Sequence, residues 1–133
     1  MKKLLFVLVS VFFVQFISAQ ASLNAVQTLA INYNDAEIKP EFPGGSNMFM
    51  KFIAENFKTP EVEGLAGTVR VSFVVETNGK LTNIKILNDI GTSGAGAEAK
   101  RVVAKSPNWT PGEQEGKPVR VTYILPIIVK SSN

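Results

Sequence analysis

The strongest constraint on the fold of this chain is a long apolar run near its end, from Lys117 to Lys130. Every odd position from Val119 to Val129 is apolar or aromatic, whereas polar side chains fall at even positions, namely Arg120, Thr122 and Lys130. This alternation predicts a β-strand with one buried face. Pro126 lies inside the run, and because proline lacks the backbone N–H that a central strand donates, the strand is predicted at a sheet edge. A long edge strand can pair with another chain.

The composition indicates one folded domain and excludes several kinds of chemistry. The chain has 133 residues, of which 45% are hydrophobic and 19% are charged, which is sufficient for a single packed core. It contains no cysteine and no histidine, so neither a cofactor nor a metal site is predicted. No serine has a histidine to activate it, and the carboxylates fall mostly in loops or on solvated faces. Catalysis is therefore not predicted.

The first 20 residues have the pattern of a secretory signal peptide. Lys2 and Lys3 precede an apolar stretch from Leu4 to Ile17, and small residues follow it. Cleavage after Ala19 and cleavage after Ala21 both fit this pattern. The alternative is an uncleaved anchor, although about 14 apolar residues fall short of the roughly 20 that span a bilayer.

The charge of the chain gives little support to a nucleic-acid partner. The full sequence has 14 basic and 11 acidic residues, a net charge of +3. Removal of Lys2 and Lys3 with the signal peptide leaves 12 basic and 11 acidic residues, a net charge of +1. The remaining basic residues form no run, so no nucleic-acid binding is predicted. Contact with a membrane is expected only if the N-terminal segment is retained.

An amphipathic helix is predicted after a mixed segment. Residues 21–39 have no clear periodicity and are expected to form a mostly irregular, flexible lead-in. The cluster from Pro40 to Gly45 predicts a turn, and Ser46 is positioned to cap a helix. From Asn47 to Phe57 the apolar residues recur at helical spacing. The residues of this core face are Met48, Phe49, Phe52, Ile53 and Phe57.

A β-hairpin and a second helix are predicted next. The alternating segments Thr68–Glu76 and Lys80–Leu87 flank Asn78-Gly79, a strong hairpin signal. The glycine-rich stretch 91–96 lacks the lysine and the spacing of nucleotide-binding motifs, so it is expected to lead into a helix. The apolar stripe of that helix is Ala95, Ala99, Val102 and Val103.

Several short motifs occur in a characteristic order along the chain. They are Phe42-Pro43-Gly44-Gly45, Gly67-x-Val69-x-Val71-x-Phe73, Asn78-Gly79, Val102-Val103, Ser106-Pro107-x-Trp109-x-Pro111-Gly112, Gly116-Lys117-Pro118-Val119 and Leu125-Pro126-Ile127. The ordered set resembles the C-terminal domain of TonB-family energy transducers, in the form common in Bacteroidetes-type bacteria. The resemblance covers roughly Pro40 to Lys130.

The resemblance implies a fold, a domain organisation and a function. The fold is α+β, a two-layer sandwich in which two helices cover one face of a small antiparallel sheet made of the hairpin and the C-terminal edge strand. The implied organisation is a signal peptide or short anchor at 1–20, the lead-in at 21–39 and the domain at 40–133. The implied function is pairing of the last strand with a short extended segment of an outer-membrane receptor, the TonB box, or with another envelope protein.

Strand geometry then identifies candidate partner-binding residues. The N–H and C=O of one residue point to the same side of a strand and alternate between neighbours. If Pro126 faces the open edge, then Arg120, Thr122 and Ile124 face it too and are predicted to bond the partner strand. The alternative is that Pro126 marks a bulge and that the lead-in of the chain itself covers the edge.

The chain differs from the long transducers of this family in its tether. The 20 residues from Gln20 to Lys39 contain no proline, whereas those transducers have a long proline-rich spacer. Fully extended, this segment reaches at most about 70 Å. We therefore expect a periplasmic binding module. The alternatives are a transducer anchored in the inner membrane and facing the periplasm, and a structural envelope protein that forms a homodimer through the same edge.

Overall fold

The structure is a computed structural model, and it describes residues 29–132. The predicted signal peptide and the first part of the lead-in lie outside the described residues. In chain order the elements are β1 (Ile31–Asn32), a 3-10 helix (Tyr33–Asp35), α1 (Ser46–Asn56), β2 (Ala66–Val75), β3 (Leu81–Asn88), α2 (Ala95–Ala104), β4 (Gly112–Gln114), β5 (Lys117–Val119) and β6 (Val121–Lys130). Neither helix of this described part has the length and apolar character of a membrane span.

The main sheet has the strand order β1-β6-β2-β3. β2 is antiparallel to both of its neighbours. Its ladder with β6 runs without a register shift from Ala66 opposite Lys130 to Val75 opposite Val121. The predicted hairpin and C-terminal strand are therefore confirmed, and they share β2 as their common partner.

The hairpin between β2 and β3 closes through a three-residue loop. The N–H of Glu76 donates to the carbonyl of Lys80 over 2.8 Å, and the N–H of Gly79 donates to the carbonyl of Glu76 over 2.9 Å. Gly79 has a φ of 84°, as expected of the glycine that follows a type I turn in such loops. The Asn-Gly signal in the sequence thus marks the hairpin correctly.

Both helices pack on one face of the main sheet, as the α+β prediction requires. The buried core contains alternate residues of β2 and β6 together with the predicted stripe of α2. On α1, Phe49 and Ile53 are buried, but Met48, predicted for the same face, is 46% exposed. Ser46 is the first residue of α1 rather than its cap, and Gly45 occupies the capping position without a side-chain bond.

The terminal apolar run is not a single strand. Its first three residues form β5, which pairs with β4, and the chain enters β6 only after Arg120. Glu115 and Gly116 join β4 to β5 with φ angles of 51° and 74°. Two central residues with positive φ are typical of a type I′ hairpin turn. The period-2 pattern continues through both strands, so it could not reveal the break between them.

The lead-in is packed on the domain from residue 29 onward, where the sequence indicated a mostly irregular, flexible segment. β1 pairs in parallel with Val121 and Thr122. Ala36 is buried, and Ile38 exchanges two backbone hydrogen bonds with Glu113, of 3.1 and 2.8 Å. The main sheet is therefore mixed rather than wholly antiparallel, and the first two residues of β6 lie between two strands instead of at an edge.

An aromatic cluster fills the corner between α1, the sheet and the connection after α2. The ring of Trp109 lies 4.8 Å from that of Phe49, 5.6 Å from that of Phe73 and 5.5 Å from that of Tyr123, centroid to centroid. Trp109 is buried, and its Nε1–H donates to Ser106 Oγ over 2.8 Å. The cluster fixes Tyr123, and with it the first half of β6, against the core.

Candidate functional site

The candidate site is the outer edge of β6, on the side away from β2. The N–H of Ile31 donates to the carbonyl of Arg120 over 2.9 Å, so the backbone of Arg120 faces this outer side. Because backbone direction alternates along a strand, the backbone groups of Ile124, Pro126 and Ile128 face the same way. Pro126 keeps its register opposite Arg70, and its missing N–H therefore takes nothing from the ladder with β2. The position of Pro126 is an edge position and not a bulge.

The three predicted partner-binding residues lie along this edge in different surroundings. Arg120 precedes β6, and its carbonyl is already bonded to Ile31. Thr122 lies opposite Asn32 of β1. Ile124 lies beyond β1 and is 52% exposed. Among residues 29–132 no strand pairs with the outer side of β6 after Thr122, so the open part of the edge begins with Ile124.

The side chain of Arg120 is held by an ion pair that the sequence did not indicate. Its Nε donates to Glu76 Oε1 over 2.6 Å, and its Nη2 donates to Glu76 Oε2 over 3.0 Å. The Arg120 guanidinium lowers the pKa of the Glu76 carboxyl despite its partial desolvation, and the hydroxyl of Thr82 donates to the same carboxylate. The pair connects the start of β6 to the β2–β3 hairpin. Glu76 and Arg120 are 44 positions apart in sequence, so no local pattern could predict it.

A groove opens between the lead-in and the first half of β6. It has a volume of about 480 Å³ and is lined by Asn32 to Asp35 on one side and Thr122 to Ile124 on the other. After Asn32, the last residue of β1, the lead-in is no longer paired with β6. The ring of Tyr33 packs edge-on against that of Tyr123, with 5.1 Å between the ring centroids. Lys39 Nζ lies 5.5 Å from the centre of the Tyr33 ring. These contacts hold the lead-in beside β6 without extending β1.

A second groove lies between α1 and the second half of β6. We call it the α1 groove; its volume is about 380 Å³, and its lining is mainly apolar: Met50, Ile53, Ala54, Phe57, Thr59 and residues 125–128. Met50 is 47% exposed and Ile128 is 86% exposed. Large apolar side chains exposed along an unpaired strand are typical of an interaction surface.

Comparison with known proteins identifies the family. Residues 61–128, just over half of the chain, match the family model for the Gram-negative bacterial TonB protein C-terminal. The chain belongs to this TonB C-terminal family. The matched range includes β2, β3, α2 and most of β6, whereas the lead-in and α1 precede it.

Two solved structures of TonB C-terminal domains are similar to the chain. The solution structure from Helicobacter pylori has 22% sequence identity and a TM-score of 0.47, and the match covers 68% of this chain and 88% of that one. The solution structure from Pseudomonas aeruginosa has 21% identity and a TM-score of 0.42, with 77% and 94% covered. No curated protein matches the chain.

Membership of the TonB C-terminal family makes the chain a TonB-like protein-interaction module. Domains of this family act by binding other proteins and not by catalysis. Within residues 29–132 no group of three or more carboxylates converges as a metal site would require.

Proposed function

We propose that this TonB C-terminal domain binds an extended segment of an outer-membrane transport receptor, or of another envelope protein, as an additional strand on β6. The observation that carries the proposal is the open outer edge from Ile124 to Ile128. It is flanked by the α1 groove, which the other edge of the sheet, formed by β3, does not share. Strand addition to an exposed edge gives affinity through main-chain bonds and specificity through pockets for alternate side chains.

The open edge offers a definite set of backbone groups to a partner strand. Ile124 and Ile128 each present one N–H and one C=O, and Pro126 presents only its C=O. A partner strand would therefore find two donors and three acceptors over five residues of β6. Its alternate side chains would face the α1 groove.

Arg120 and Thr122 would join this interface if β1 separated from β6. β1 has only two residues, and short strand pairings contribute little stability by themselves. A longer partner strand would replace β1 and bond the backbone of all three predicted residues, Arg120, Thr122 and Ile124. The lead-in would then act as a competitor for the first part of the edge.

We propose the periplasm as the place where this binding occurs. The first 20 residues support export across the inner membrane, and their cleavage would release the domain from the membrane. If they are retained as an anchor, the same domain would face the periplasm from the inner membrane.

The test is to remove edge donors and measure binding. Proline at Ile128 would delete an N–H at the outer edge while leaving the ladder with β2 intact, as Pro126 does, whereas threonine at Ile128 keeps the N–H. We expect I128P, but not I128T, to lose most of its affinity in calorimetry with synthetic TonB-box peptides of outer-membrane receptors from the same organism. A folded I128P protein that binds like the wild type would refute strand addition at this edge.

A homodimer through the same edge is the second candidate function. Antiparallel pairing of Ile124 with Ile128 of a second copy would place the two Pro126 residues opposite each other. Both proline carbonyls would then face a residue without a donor, which favours a different partner strand over a second copy. Light scattering over a concentration series would detect a stable dimer.

A further inference from the structure

The face of the main sheet opposite the helices carries exposed basic side chains, and one of them, that of Arg70, lies next to the open edge. Arg70 of β2 is exposed and lies between Asn88 of β3 and Pro126 of β6. Within residues 29–132 the guanidinium of Arg70 forms no ion pair or hydrogen bond. Lys85 and Lys130 on the same face are also exposed.

The carboxylate of Glu76, which directly follows β2 on this face, already has hydrogen-bond partners. Glu76 bonds Arg120 and Thr82, so it is not available to neutralise Arg70. The open face is therefore positively charged beside β6. A negatively charged partner group would be attracted to it.

We propose that the partner strand of β6 carries an acidic residue aligned with Pro126, and that Arg70 is the residue that selects it. This inference rests on the proposed strand addition and specifies its partner. A strand added to β6 would lie two strand spacings, about 10 Å, from β2. Pro126 is the compact residue between them, so the long side chains of an arginine and a glutamate can meet above it from opposite sides.

The neighbours of Pro126 define the rest of the partner pattern. Ile124 and Ile128 flank it on the same face and are 52% and 86% exposed. They would contact apolar side chains two positions before and two positions after the acidic residue. The side chains between these positions would point to the other face, into the α1 groove, where Met50 and Phe57 favour apolar groups. The expected partner is an apolar segment of about five residues with one acidic residue at its centre.

The two isoleucines also strengthen the proposed ion pair. An exposed pair contributes little because water screens it. Once Ile124 and Ile128 are covered by the partner, the pair between them is shielded from solvent on two sides. We therefore expect the central acid to improve affinity by about fivefold at low salt, with a smaller effect at high salt.

The experiment uses residues 20–133 with two main synthetic peptides and a third peptide that tests reversal of the charge. Both are seven-residue, valine-rich strands with serine at the ends, and the central residue is glutamate in one and glutamine in the other. The wild type is expected to prefer the glutamate peptide, R70Q to lose that preference, and R70E to prefer a third peptide with a central lysine. K85Q is the matched control, since it makes the same charge change on the same face but opposite Ser72.

The outcomes separate this inference from the proposed function. If both peptides bind equally and I128P abolishes both, strand addition stands and the selection of acid by Arg70 is wrong. If R70Q keeps the glutamate preference, the selection is again wrong. The inference is also contradicted if the wild type binds phosphatidylglycerol vesicles more strongly than R70Q does but shows no preference between the two peptides. If neither peptide binds but TonB-box peptides do, this inference is wrong and the proposed function stands; if no peptide of either kind binds, both fail.

Discussion

The backbone of Gly79, at the tip of the β2–β3 hairpin, is bonded directly to the backbone of Trp109, in the connection that follows α2. The N–H of Trp109 donates to the carbonyl of Gly79 over 2.8 Å. A Cβ atom at Gly79 would lie only 2.0 Å from the carbonyl oxygen of Trp109. The hairpin tip and the aromatic cluster therefore approach each other at a distance that only glycine allows.

Replacing Gly79 with alanine is expected to destabilise the domain by about 2–4 kcal/mol, because the positive φ is unfavourable for alanine and the added methyl group would displace backbone. Urea denaturation would measure the loss. Gly64→Ala is the control, since Gly64 has a φ of 70° and nothing within 4 Å of the added Cβ. It should cost about 1–2 kcal/mol. Equal losses in the two variants would show that the approach to Trp109 is unimportant.

The ion pair between Glu76 and Arg120 should make stability depend on pH. The folded-state pKa of Glu76 lies below its ordinary value of 4.5, chiefly because Arg120 bonds the carboxylate. The pair therefore stabilises the fold above pH 4.5, and the contribution is lost as the pH falls through the folded-state pKa. We expect Glu76→Gln to lower the free energy of unfolding by about 1 kcal/mol at pH 7.

The difference in unfolding free energy between the wild type and Glu76→Gln should shrink when denaturation is repeated at progressively lower pH below 4.5. Glu55→Gln serves as a control, because the pair of Glu55 with Lys51 is 3.9 Å long and both side chains are 63% exposed. A constant difference for Glu76→Gln across this range would contradict the proposed role of the ion pair.

The carboxylate of Asp89 is expected to stabilise the start of α2. Asp89 Oδ1 accepts hydrogen bonds from the N–H of Gly96, over 2.9 Å, and from the N–H of Ile90, over 2.7 Å. Asp89→Ala should therefore cost about 1 kcal/mol, measured as a lower thermal midpoint. Asp89→Asn keeps an acceptor oxygen and should retain most of the stability. If asparagine is as harmful as alanine, the hydrogen bonds are not the cause.

Tyr33 is expected to regulate how much of β6 a partner can reach. Its ring packs on Tyr123 and under Lys39, and an aromatic pair of this kind contributes about 0.5–1.5 kcal/mol. Tyr33→Ala should weaken the attachment of β1 and increase affinity about two- to tenfold for peptides long enough to reach Arg120.

Short peptides that cover only Ile124 to Ile128 should bind Tyr33→Ala and the wild type equally, as calorimetry with a short and a long peptide would show. If Tyr33→Ala leaves the affinity for the long peptide unchanged, the lead-in does not compete for the edge.

The sequence predicted those parts of the fold that have strong periodicity or unmistakable turn chemistry. The alternation in β2 and β6, the stripe of α2 and the Asn-Gly turn each determine an element that the structure contains. The missing N–H of Pro126 indicated either an edge position or a bulge, and the unbroken register opposite Arg70 decides for the edge. These features are local, so one stretch of chain is sufficient to recognise them.

The remaining features depend on contacts between distant residues. β1 has only two residues, which is too short for a periodic pattern, so the sequence of the lead-in could not predict its pairing with Thr122. The turn at Glu115 requires a positive φ in a residue that rarely adopts it. Met48 occupies a helical position that suits the core. However, α1 faces the sheet with Phe49 and Ile53, and Met48 is left partly exposed.

The continuous ladder between β2 and β6 has a mechanical consequence. A bound strand would run alongside β6, so a pull along that strand would act parallel to β6 and perpendicular to the hydrogen bonds on both of its sides. Bonds loaded in this direction share the force and must shear together, whereas a pull at right angles opens them one after another from an end. The interface at β6 should therefore resist tension along the partner and yield readily to peeling.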